Sequence, residues 1–366
     1  WKNRYIEMWL ENNTLQSFRS MIQIGSRIYF LSCLGNELWL FDLNDQSLKM
    51  KLKLSNLKGS YDAVYREIVK YNDMLIFVPN SANDICIYDI ETELIRKIPV
   101  PNISIPYKYM CKFSNAFCTD KHIFLIPHCY PAVLVIDAEI WQIVICKTLY
   151  TGDKLIESEL FSGSYILRED KCYIPSAQFN EVVEMDIKTC TVKRHSLGKE
   201  IAWYGSISYY DGSIWLTGKK STITKWDIVH DLVEELDYPK CFIKQENSYP
   251  FLDTFYWMNK VILIPKKANM YIIIDMETKK IEGFQRKQEY LCFSLIYSEN
   301  NQYKLLYDVA QTKLFLMNEE KEEVAQMKID LCLKMYMQKI INEDISNGKK
   351  GYDESLCGNI IYEICD

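Results

Sequence analysis

Apolar residues along this chain fall in short runs separated by turn signals, with almost no long stretch of helical period. RIYFL (27–31) and HIFLIP (122–127) are two such runs, and Asn72-Asp73 is one of the turn signals. Runs of about four to eight residues that are rich in β-branched and aromatic side chains are typical of strands. The pattern therefore predicts an all-β chain.

One motif repeats along the sequence at a nearly constant interval. The motif is an aspartate with an aromatic or apolar residue before it and an apolar or small residue after it, as in Tyr-Asp-Ile at 88–90. Related copies are Phe41-Asp42-Leu43, Ile136-Asp137-Ala138, Met185-Asp186-Ile187, Trp226-Asp227-Ile228, Ile274-Asp275-Met276 and the degraded Met317-Asn318-Glu319. The copies lie 41 to 49 residues apart. This is about the length of one four-stranded propeller blade.

Two further strands recur upstream of each motif. The nearer one is apolar, and the farther one begins with an aromatic residue: Phe18, Tyr65, Phe113, Phe161, Tyr204, Phe251 and Phe293. A more polar fourth strand follows the motif. Seven units of four short strands predict a seven-bladed β-propeller. A large β-sandwich is the alternative, and seven similar units fit it badly.

The repeated aspartate has a structural explanation. An aspartate side chain can accept hydrogen bonds from backbone amides two residues on, which fixes a tight turn. We therefore expect Asp89 and its equivalents to hold the turn between the third and fourth strands, and not to act as catalysts.

These repeats resemble the β-propeller superfamily, which includes WD-repeat, kelch and quinoprotein-like members. The resemblance covers about residues 17 to 330 and concerns architecture. Only Trp226-Asp227 matches the WD dipeptide, and the Gly-Gly pair of kelch repeats and the Asp-box of sialidases are absent. The resemblance therefore implies a fold and carries over no family active site.

The two ends of the chain differ from the repeats. A strand at about 3–11 is expected to pair with the last blade and close residues 1–330 into one propeller domain, since an open sheet edge is a liability. Residues 331–366 are predicted to form a helical C-terminal cap, because apolar residues from Ile329 to Ile341 recur with helical spacing. The alternative for this helix is a docking element for a partner.

Composition narrows the class of protein. A net charge of −6 argues against a general nucleic-acid binder. No apolar run approaches the roughly 18 residues that a membrane span needs. Thirteen cysteines, an odd number without any CxxC, indicate buried free thiols and a cytoplasmic location. A monomer is expected. Because the chain begins with Trp1 and not with Met, the alternative is a piece of a longer protein, or a domain docked on another.

Familiar reactive motifs are missing. The chain has no phosphate-binding loop, no G-x-S-x-G elbow and no H-E-x-x-H. One group of possible metal ligands lies within 111–129: Cys111, Cys118, His122, His128 and Cys129. If the turn of this hairpin lies at Asp120, residues that face each other across it have numbers that sum to 240. Cys111 then faces Cys129, and Cys118 faces His122. These pairs lie about 23 Å apart, too far for one zinc ion. We expect no metal and no cofactor. A Cys111–Cys129 disulfide is an alternative that this register allows.

The alignment brings several polar side chains to one end of the propeller, at the channel entrance. First strands begin there, and the loops between second and third strands lie there. The candidate ligand-binding residues are Arg19, Arg66, Asn80, His128, Trp203, Lys219 and Lys266. Arg19 and Arg66 occupy the same position in consecutive units, where two guanidinium groups could converge on a carboxylate or phosphate.

Two functions fit this pattern. The favoured one is a non-catalytic interaction or scaffold module that binds a protein, a peptide or an anionic glycan on the channel-entrance face, since no reactive constellation accompanies the repeats. The alternative is a propeller enzyme, a hydrolase or lyase, that acts on a sugar, lactone or other small molecule at the channel mouth.

Overall fold

The computed structural model describes most of the predicted repeat region. The described residues are 18–32, 37–42, 44–45, 47–54, 64–104, 111–150, 152, 156, 158–199, 202–244, 249–257, 259–265, 268–285, 293–298, 304–308, 313–317 and 323–328. These residues form 28 strands and contain no helix. No helix able to span a membrane is therefore found in the described segments.

The strands follow one another in sets of four. The first two sets are β1 (Phe18–Ile24), β2 (Arg27–Ser32), β3 (Glu37–Asp42), β4 (Leu48–Lys53), β5 (Tyr65–Tyr71), β6 (Met74–Pro79), β7 (Asp84–Asp89) and β8 (Ile95–Pro99). The next two are β9 (Phe113–Cys118), β10 (His122–Pro127), β11 (Ala132–Asp137), β12 (Gln142–Thr148), β13 (Ile166–Arg168), β14 (Lys171–Pro175), β15 (Glu181–Asp186) and β16 (Val192–Ser196). The last three are β17 (Tyr204–Tyr210), β18 (Ser213–Gly218), β19 (Thr222–Asp227), β20 (Leu232–Asp237), β21 (Phe251–Trp257), β22 (Lys260–Pro265), β23 (Met270–Asp275), β24 (Ile281–Gln285), β25 (Phe293–Ser298), β26 (Lys304–Asp308), β27 (Lys313–Met317) and β28 (Glu323–Lys328).

The chain divides into two compact units. Trp1–Ile68 and Tyr290–Asp366 form the first unit, and Val69–Glu289 form the second. In the first unit, β1–β4 and β25–β28 share one eight-stranded sheet, because β1 and β25 pair in parallel at Ile22–Tyr297 and Gln23–Ser298. Sets β5–β8, β9–β12, β13–β16, β17–β20 and β21–β24 each form a four-stranded sheet.

The all-β class and the predicted four-strand unit are confirmed. The number of seven blades stays a prediction, because the described strands are grouped in six sheets and not seven. The expected closing strand at about 3–11 and the expected helical cap at 331–366 lie outside the described residues.

The core of the second unit lies between neighbouring sheets. One cluster joins β5–β8 to β9–β12 through side chains such as Ile76, Leu125 and Leu134. Similar clusters join each later pair of sheets in this unit. The recurring aromatic residues of this unit are buried: Phe113, Phe161, Tyr204 and Phe251 are all less than 5% exposed. Removing this apolar surface from water stabilises the stack of sheets.

The repeated aspartate ends the third strand of each set from β3 to β23 and holds the turn that follows. Oδ1 of Asp89 accepts hydrogen bonds from the amides of Glu91 and Thr92, both at 2.9 Å. Equivalent bonds are made by Asp42, Asp137, Asp186, Asp227 and Asp275. The predicted structural role of this residue is confirmed.

These turns predict a specific loss of stability in acid. Backbone hydrogen bonds hold the pKa of Asp89, Asp137 and Asp275 below the usual value, and the His230 side chain lowers that of Asp227 to about 2. A carboxylate whose pKa is depressed by folding stabilises the native state above its unfolded pKa of about 3.9, and this stabilisation is lost as the pH falls toward the folded pKa. We expect urea unfolding midpoints to fall between about pH 4 and pH 2.

The matched control for this acid effect is Asp227→Asn. An asparagine oxygen still accepts amide hydrogen bonds and does not titrate in this range. The variant should be less stable than the parent at neutral pH and should lose less stability on acidification. An equal loss in both proteins would contradict the assignment.

The fourth set departs from the prediction at its first strand. The sequence predicts that this strand begins at Phe161, but β13 begins at Ile166, and Phe161 makes only an isolated bridge with Ser176. Gly163 between them has a φ of 89°, which extended strands do not adopt. A Cβ at Gly163 would lie 2.3 Å from the Ser114 side chain, so a neighbouring strand occupies the space. The close approach of Ser114 explains why the strand starts late.

Candidate functional site

In the second unit, first strands begin and second strands end at the same end of the sheets, here called the loop end. Pro127 pairs with Phe113, and Gly218 pairs with Tyr204. The loop after β10 also reaches the next sheet, because the His128 carbonyl accepts hydrogen bonds from the amides of Leu160 at 3.0 Å and Phe161 at 3.1 Å. Loops of one sheet are thereby joined to the segment that precedes the next sheet.

Five side chains from five different loops meet at the loop end. They form the loop-end cluster: His128, Glu159, Trp203, Lys219 and Tyr249. Their contacts form a chain: His128 Nε2 lies 3.3 Å from Glu159 Oε1, and the Tyr249 hydroxyl donates to Glu159 Oε2 at 3.4 Å. The Lys219 ammonium lies 4.2 Å from the centre of the Trp203 ring and 5.0 Å from that of Tyr249. Such cation–aromatic contacts are attractive.

Two glycines make room for the cluster. A Cβ at Gly205 would lie 2.4 Å from the Tyr249 ring, so the ring packs directly on the backbone of β17. A Cβ at Gly218 would lie 2.5 Å from the Trp203 carbonyl oxygen and 2.7 Å from that of Ala202. The segment before β17 therefore crosses the end of β18 at a distance that only glycine permits.

The tryptophan is held in an unusual position. Trp203 has a φ of 48°, in the left-handed region that a bulky residue rarely adopts, and its side chain is 37% exposed. The Lys219 amide donates to the Trp203 carbonyl at 3.2 Å, which fixes the backbone there.

The acidic and imidazole groups of the cluster are already paired. His128 is buried, and its Nδ1 lies 2.7 Å from the Phe161 carbonyl oxygen. Because a carbonyl oxygen only accepts, Nδ1 must carry a proton. Burial, with a further contribution from the Glu159 charge, raises the pKa of Tyr249, so its hydroxyl remains a donor to Glu159. This part of the cluster is a hydrogen-bonded support for the rest.

Other lysines of the loop end bind backbone. Lys244 donates to the Lys219 carbonyl and, at 3.0 Å, to that of Lys220, and burial lowers its pKa. Lys112 does the same in another sheet, where its ammonium donates to the carbonyls of Ser81 and Ala82. Lysines before a first strand thus hold the preceding loop in place.

Four other predicted site residues remain: Arg19, Arg66, Asn80 and Lys266. Arg19 and Arg66 belong to the first unit, where only the backbone of Arg19 is described and Arg66 is half-buried in β5. Asn80 is 4% exposed, and its carbonyl accepts the Lys112 amide at 2.8 Å. Lys266 lies outside the described residues.

Sequence reasoning missed Glu159 and Tyr249. Each precedes by two residues the aromatic that opens a repeat, Phe161 and Phe251. Comparing this position in every unit would have found both residues. No sequence pattern indicates that they contact each other, because they lie 90 residues apart.

The cysteine and histidine group needs one correction. The prediction that Cys118 faces His122 is wrong, because Cys118 pairs with Ile123. A bulge near Pro127 shifts the register by one residue, although the Cys129 amide still donates to the Cys111 carbonyl at 3.1 Å. The Cys111 thiol is free, and the described residues contain no group of three or more metal-ligating side chains.

Comparisons with known proteins identify the fold. No protein-family model and no curated protein sequence matches the chain. Among solved structures, virginiamycin B lyase from Staphylococcus aureus is similar with a TM-score of 0.59 at 12% identity, over 81% of this chain and 93% of that one. Hsv2 from Kluyveromyces lactis gives a TM-score of 0.53 at 6% identity, over 86% and 99%. BamB from Moraxella catarrhalis gives 0.51 at 10% identity, over 86% and 88%.

These likenesses show a β-propeller fold, as the sequence predicts. At such low identity they show the fold alone, and the similar structures include an enzyme. Fold does not imply function, so function has to be argued from the site.

Proposed function

We propose that this protein is a non-catalytic interaction module that binds an acidic segment of a partner protein at the loop-end cluster. The observation that carries the proposal is the exposed Trp203 ring with the Lys219 ammonium 4.2 Å from its centre. Tryptophan and tyrosine dominate the energetics of protein interfaces, because they bury a large area with little loss of freedom.

The charges around Trp203 favour an acidic partner. The aromatic rings beside Lys219 attract its ammonium without neutralising it, so the charge stays available to a carboxylate. Lys220 already pairs with Glu235 at 3.2 Å, and Lys244 binds backbone. Lys219 is therefore the cation of this surface best placed to bind a carboxylate of the partner. The neighbouring Glu159 carboxylate would repel a second acidic group of the partner that approached it.

Binding fits the cluster better than the alternative of a sugar- or lactone-directed enzyme. A general acid or base has to reach its substrate. His128 is only 3% exposed, and both ring nitrogens face protein oxygens. The described geometry thus supports a positioning role for His128. A stoichiometric metal ion in protein purified without chelator would instead favour the enzyme.

Selection of displayed random peptides on the full chain tests the proposal. Enriched peptides should combine Asp or Glu with apolar residues. Trp203→Ala and Lys219→Gln should each weaken their binding about tenfold or more, since truncating a central interface residue commonly costs over 1.4 kcal/mol. Fluorescence anisotropy of one labelled peptide measures this.

The matched control is Lys188→Gln. Lys188 lies in an exposed turn and pairs with Asp170, so this variant removes the same charge away from the cluster. Its binding should equal that of the parent. Enrichment of peptides without acidic residues, or equal weakening by all three variants, would overturn the proposal.

We also propose a reducing, cytoplasmic compartment. The support is that Cys172 and Cys190 are buried as free thiols, where they pack like small apolar residues.

A further inference from the structure

A second polar site lies at the opposite end of the sheets from the loop end. A cleft of about 260 Å³ opens between the sheet β13–β16 and the sheet β17–β20. It is lined by Arg168, Glu169, Lys171, Tyr173, Glu184, Lys193, His195, Trp226, Ile228 and Val229. Lys171 pairs across the strands with Asp186 in β15, whereas Pro175, at the loop end, pairs with Val182. The cleft is therefore separate from the loop-end cluster.

The acidic group inside the cleft is neutralised by its neighbours. Glu184 Oε1 lies 2.6 Å from the Lys171 ammonium, and Oε2 lies 2.8 Å from His195 Nε2. Burial works to raise the pKa of Glu184, but the hydrogen bonds from Lys171 and His195 outweigh it and the pKa is lowered. Glu184 is thus a charged but compensated carboxylate, which orients the lysine and the imidazole.

Positive charge is left over at the cleft. Its lining carries the formal charges of Arg168, Lys171 and Lys193 against those of Glu169 and Glu184. Glu169 is 79% exposed, and its carboxylate lies 3.7 Å from Arg168 Nε, a distance beyond a good hydrogen bond. Lys193 is exposed on β16 directly opposite Glu184. In a chain of net charge −6, this cleft is a local basic site.

The arginine is preorganised for an anion. Its guanidinium carbon lies 4.4 Å from the centre of the Tyr209 ring, which holds the planar group in place. Nη1 of Arg168 is buried and has no hydrogen-bond partner among the described residues. Buried donors without partners are rare in proteins, and a bound ion is one explanation for such a donor. A guanidinium fork suits the paired oxygens of a phosphate.

The other wall of the cleft is apolar. The His195 ring lies 4.6 Å from that of Trp226, and Val229 beside it is 71% exposed. An apolar part of a ligand can lie against Val229 and Ile228 while its anionic end meets Arg168, Lys171 and Lys193. This combination of a few convergent polar groups with an apolar wall is typical of small-molecule sites.

We propose that this cleft binds a phosphate monoester whose phosphate is joined to a compact apolar group. Arg168 and Lys193 contact the phosphate, Lys171 adds a further donor, and Glu184 and His195 position Lys171. The site is independent of the proposed partner surface at the loop end.

Phenyl phosphate is the probe for the first test. Ligand-observed NMR with the full chain should show saturable binding in the low millimolar range or tighter, and phenol should not bind. Lys193→Gln should weaken binding about fivefold, and Arg168→Gln about tenfold or more, because hydrogen bonds to charged groups are strong. Lys188→Gln removes a charge from the same sheet outside the cleft and should bind as the parent does.

The outcomes separate a built site from diffuse attraction. Arg168→Gln also removes the contact with Tyr209, so its unfolding curve is measured, and the exposed Lys193→Gln provides the test if the first variant is unstable. Equal weakening by Lys188→Gln would overturn the proposal. Absence of saturable binding would overturn it together with an absence of retention on vesicles that contain phosphatidic acid.

A second arm of the test identifies the source of the phosphate. Protein is sedimented with vesicles of phosphatidylcholine that contain phosphatidic acid. If the protein sediments with these vesicles and Lys193→Gln does not, the phosphate bound by the cleft belongs to a lipid headgroup. If the protein binds phenyl phosphate but does not sediment with the vesicles, the ligand is a soluble ester. Failure in both arms sinks the inference and leaves the interaction surface at the loop end untouched.

Discussion

Replacing Trp226 by alanine is expected to lower the free energy of unfolding by about 3–5 kcal/mol. Trp226 is 1% exposed, and its ring lies 4.6 Å from that of His195 and 6.3 Å from that of Tyr173. The substitution removes this apolar surface from the core between two sheets and leaves a cavity that the rigid strands cannot fill. Urea denaturation followed by circular dichroism measures the loss.

Two control variants show whether the loss comes from packing. Trp226→Phe keeps an aromatic ring but loses the Nε1 hydrogen bond to Asp231 Oδ1 at 3.0 Å, and it should cost about 1–2 kcal/mol. Leu94→Ala shortens a side chain that is 70% exposed, and it should change stability by less than about 0.5 kcal/mol. A loss below about 1 kcal/mol for Trp226→Ala would contradict the position of this residue in the core.

Gly218→Ala is expected to destabilise the protein by about 1–3 kcal/mol and to weaken peptide binding at the loop-end cluster. The added Cβ would meet the carbonyl oxygens of Trp203 and Ala202 at 2.5 and 2.7 Å. Backbone atoms cannot rotate away as a side chain can, so the segment that carries Trp203 has to move. Urea denaturation and the peptide anisotropy assay should therefore change together.

Gly212→Asn is the control for this steric effect. Gly212 has a φ of 75°, and a Cβ there would meet nothing within 4 Å. Asparagine tolerates the left-handed region better than most residues, so the stability should fall little and peptide binding should not change. If Gly218→Ala binds the peptide like the parent, the close crossing at β18 does not control the cluster.

Much of the fold could be predicted because its signals are local in sequence. The apolar run at 122–127 gave β10 with its observed bounds, and the run at 27–31 gave β2 to within one residue. The repeated aspartate predicted the turns, since its hydrogen-bond partners are two and three residues away. The late start of β13 was not predictable, because it depends on Ser114 in a neighbouring sheet filling the space beside Gly163.

The candidate site was only partly predictable. Trp203, Lys219 and His128 were singled out from their positions in the repeat, and the structure places them in one chain of contacts. Glu159 and Tyr249, which link them, each lie two residues before the aromatic residue of a repeat, but no sequence pattern indicates that they contact each other. The paired groups of the cleft, Glu184 and His195, were not singled out at all, because their strand positions look like ordinary solvated residues.

The all-β class, the four-strand unit and the turn held by each repeated aspartate follow from the order of residues along the chain. Strand periodicity and turn hydrogen bonds join residues close in the chain, so the order of residue types is enough to specify them. Which side chains share a site depends instead on how distant parts of the chain pack together. Contacts such as Tyr249 with Glu159, or the wall that Trp226 gives to the cleft beside His195, depend on the packing of separate sheets. Register shifts and close crossings of a few ångströms set that packing, and no local pattern records them.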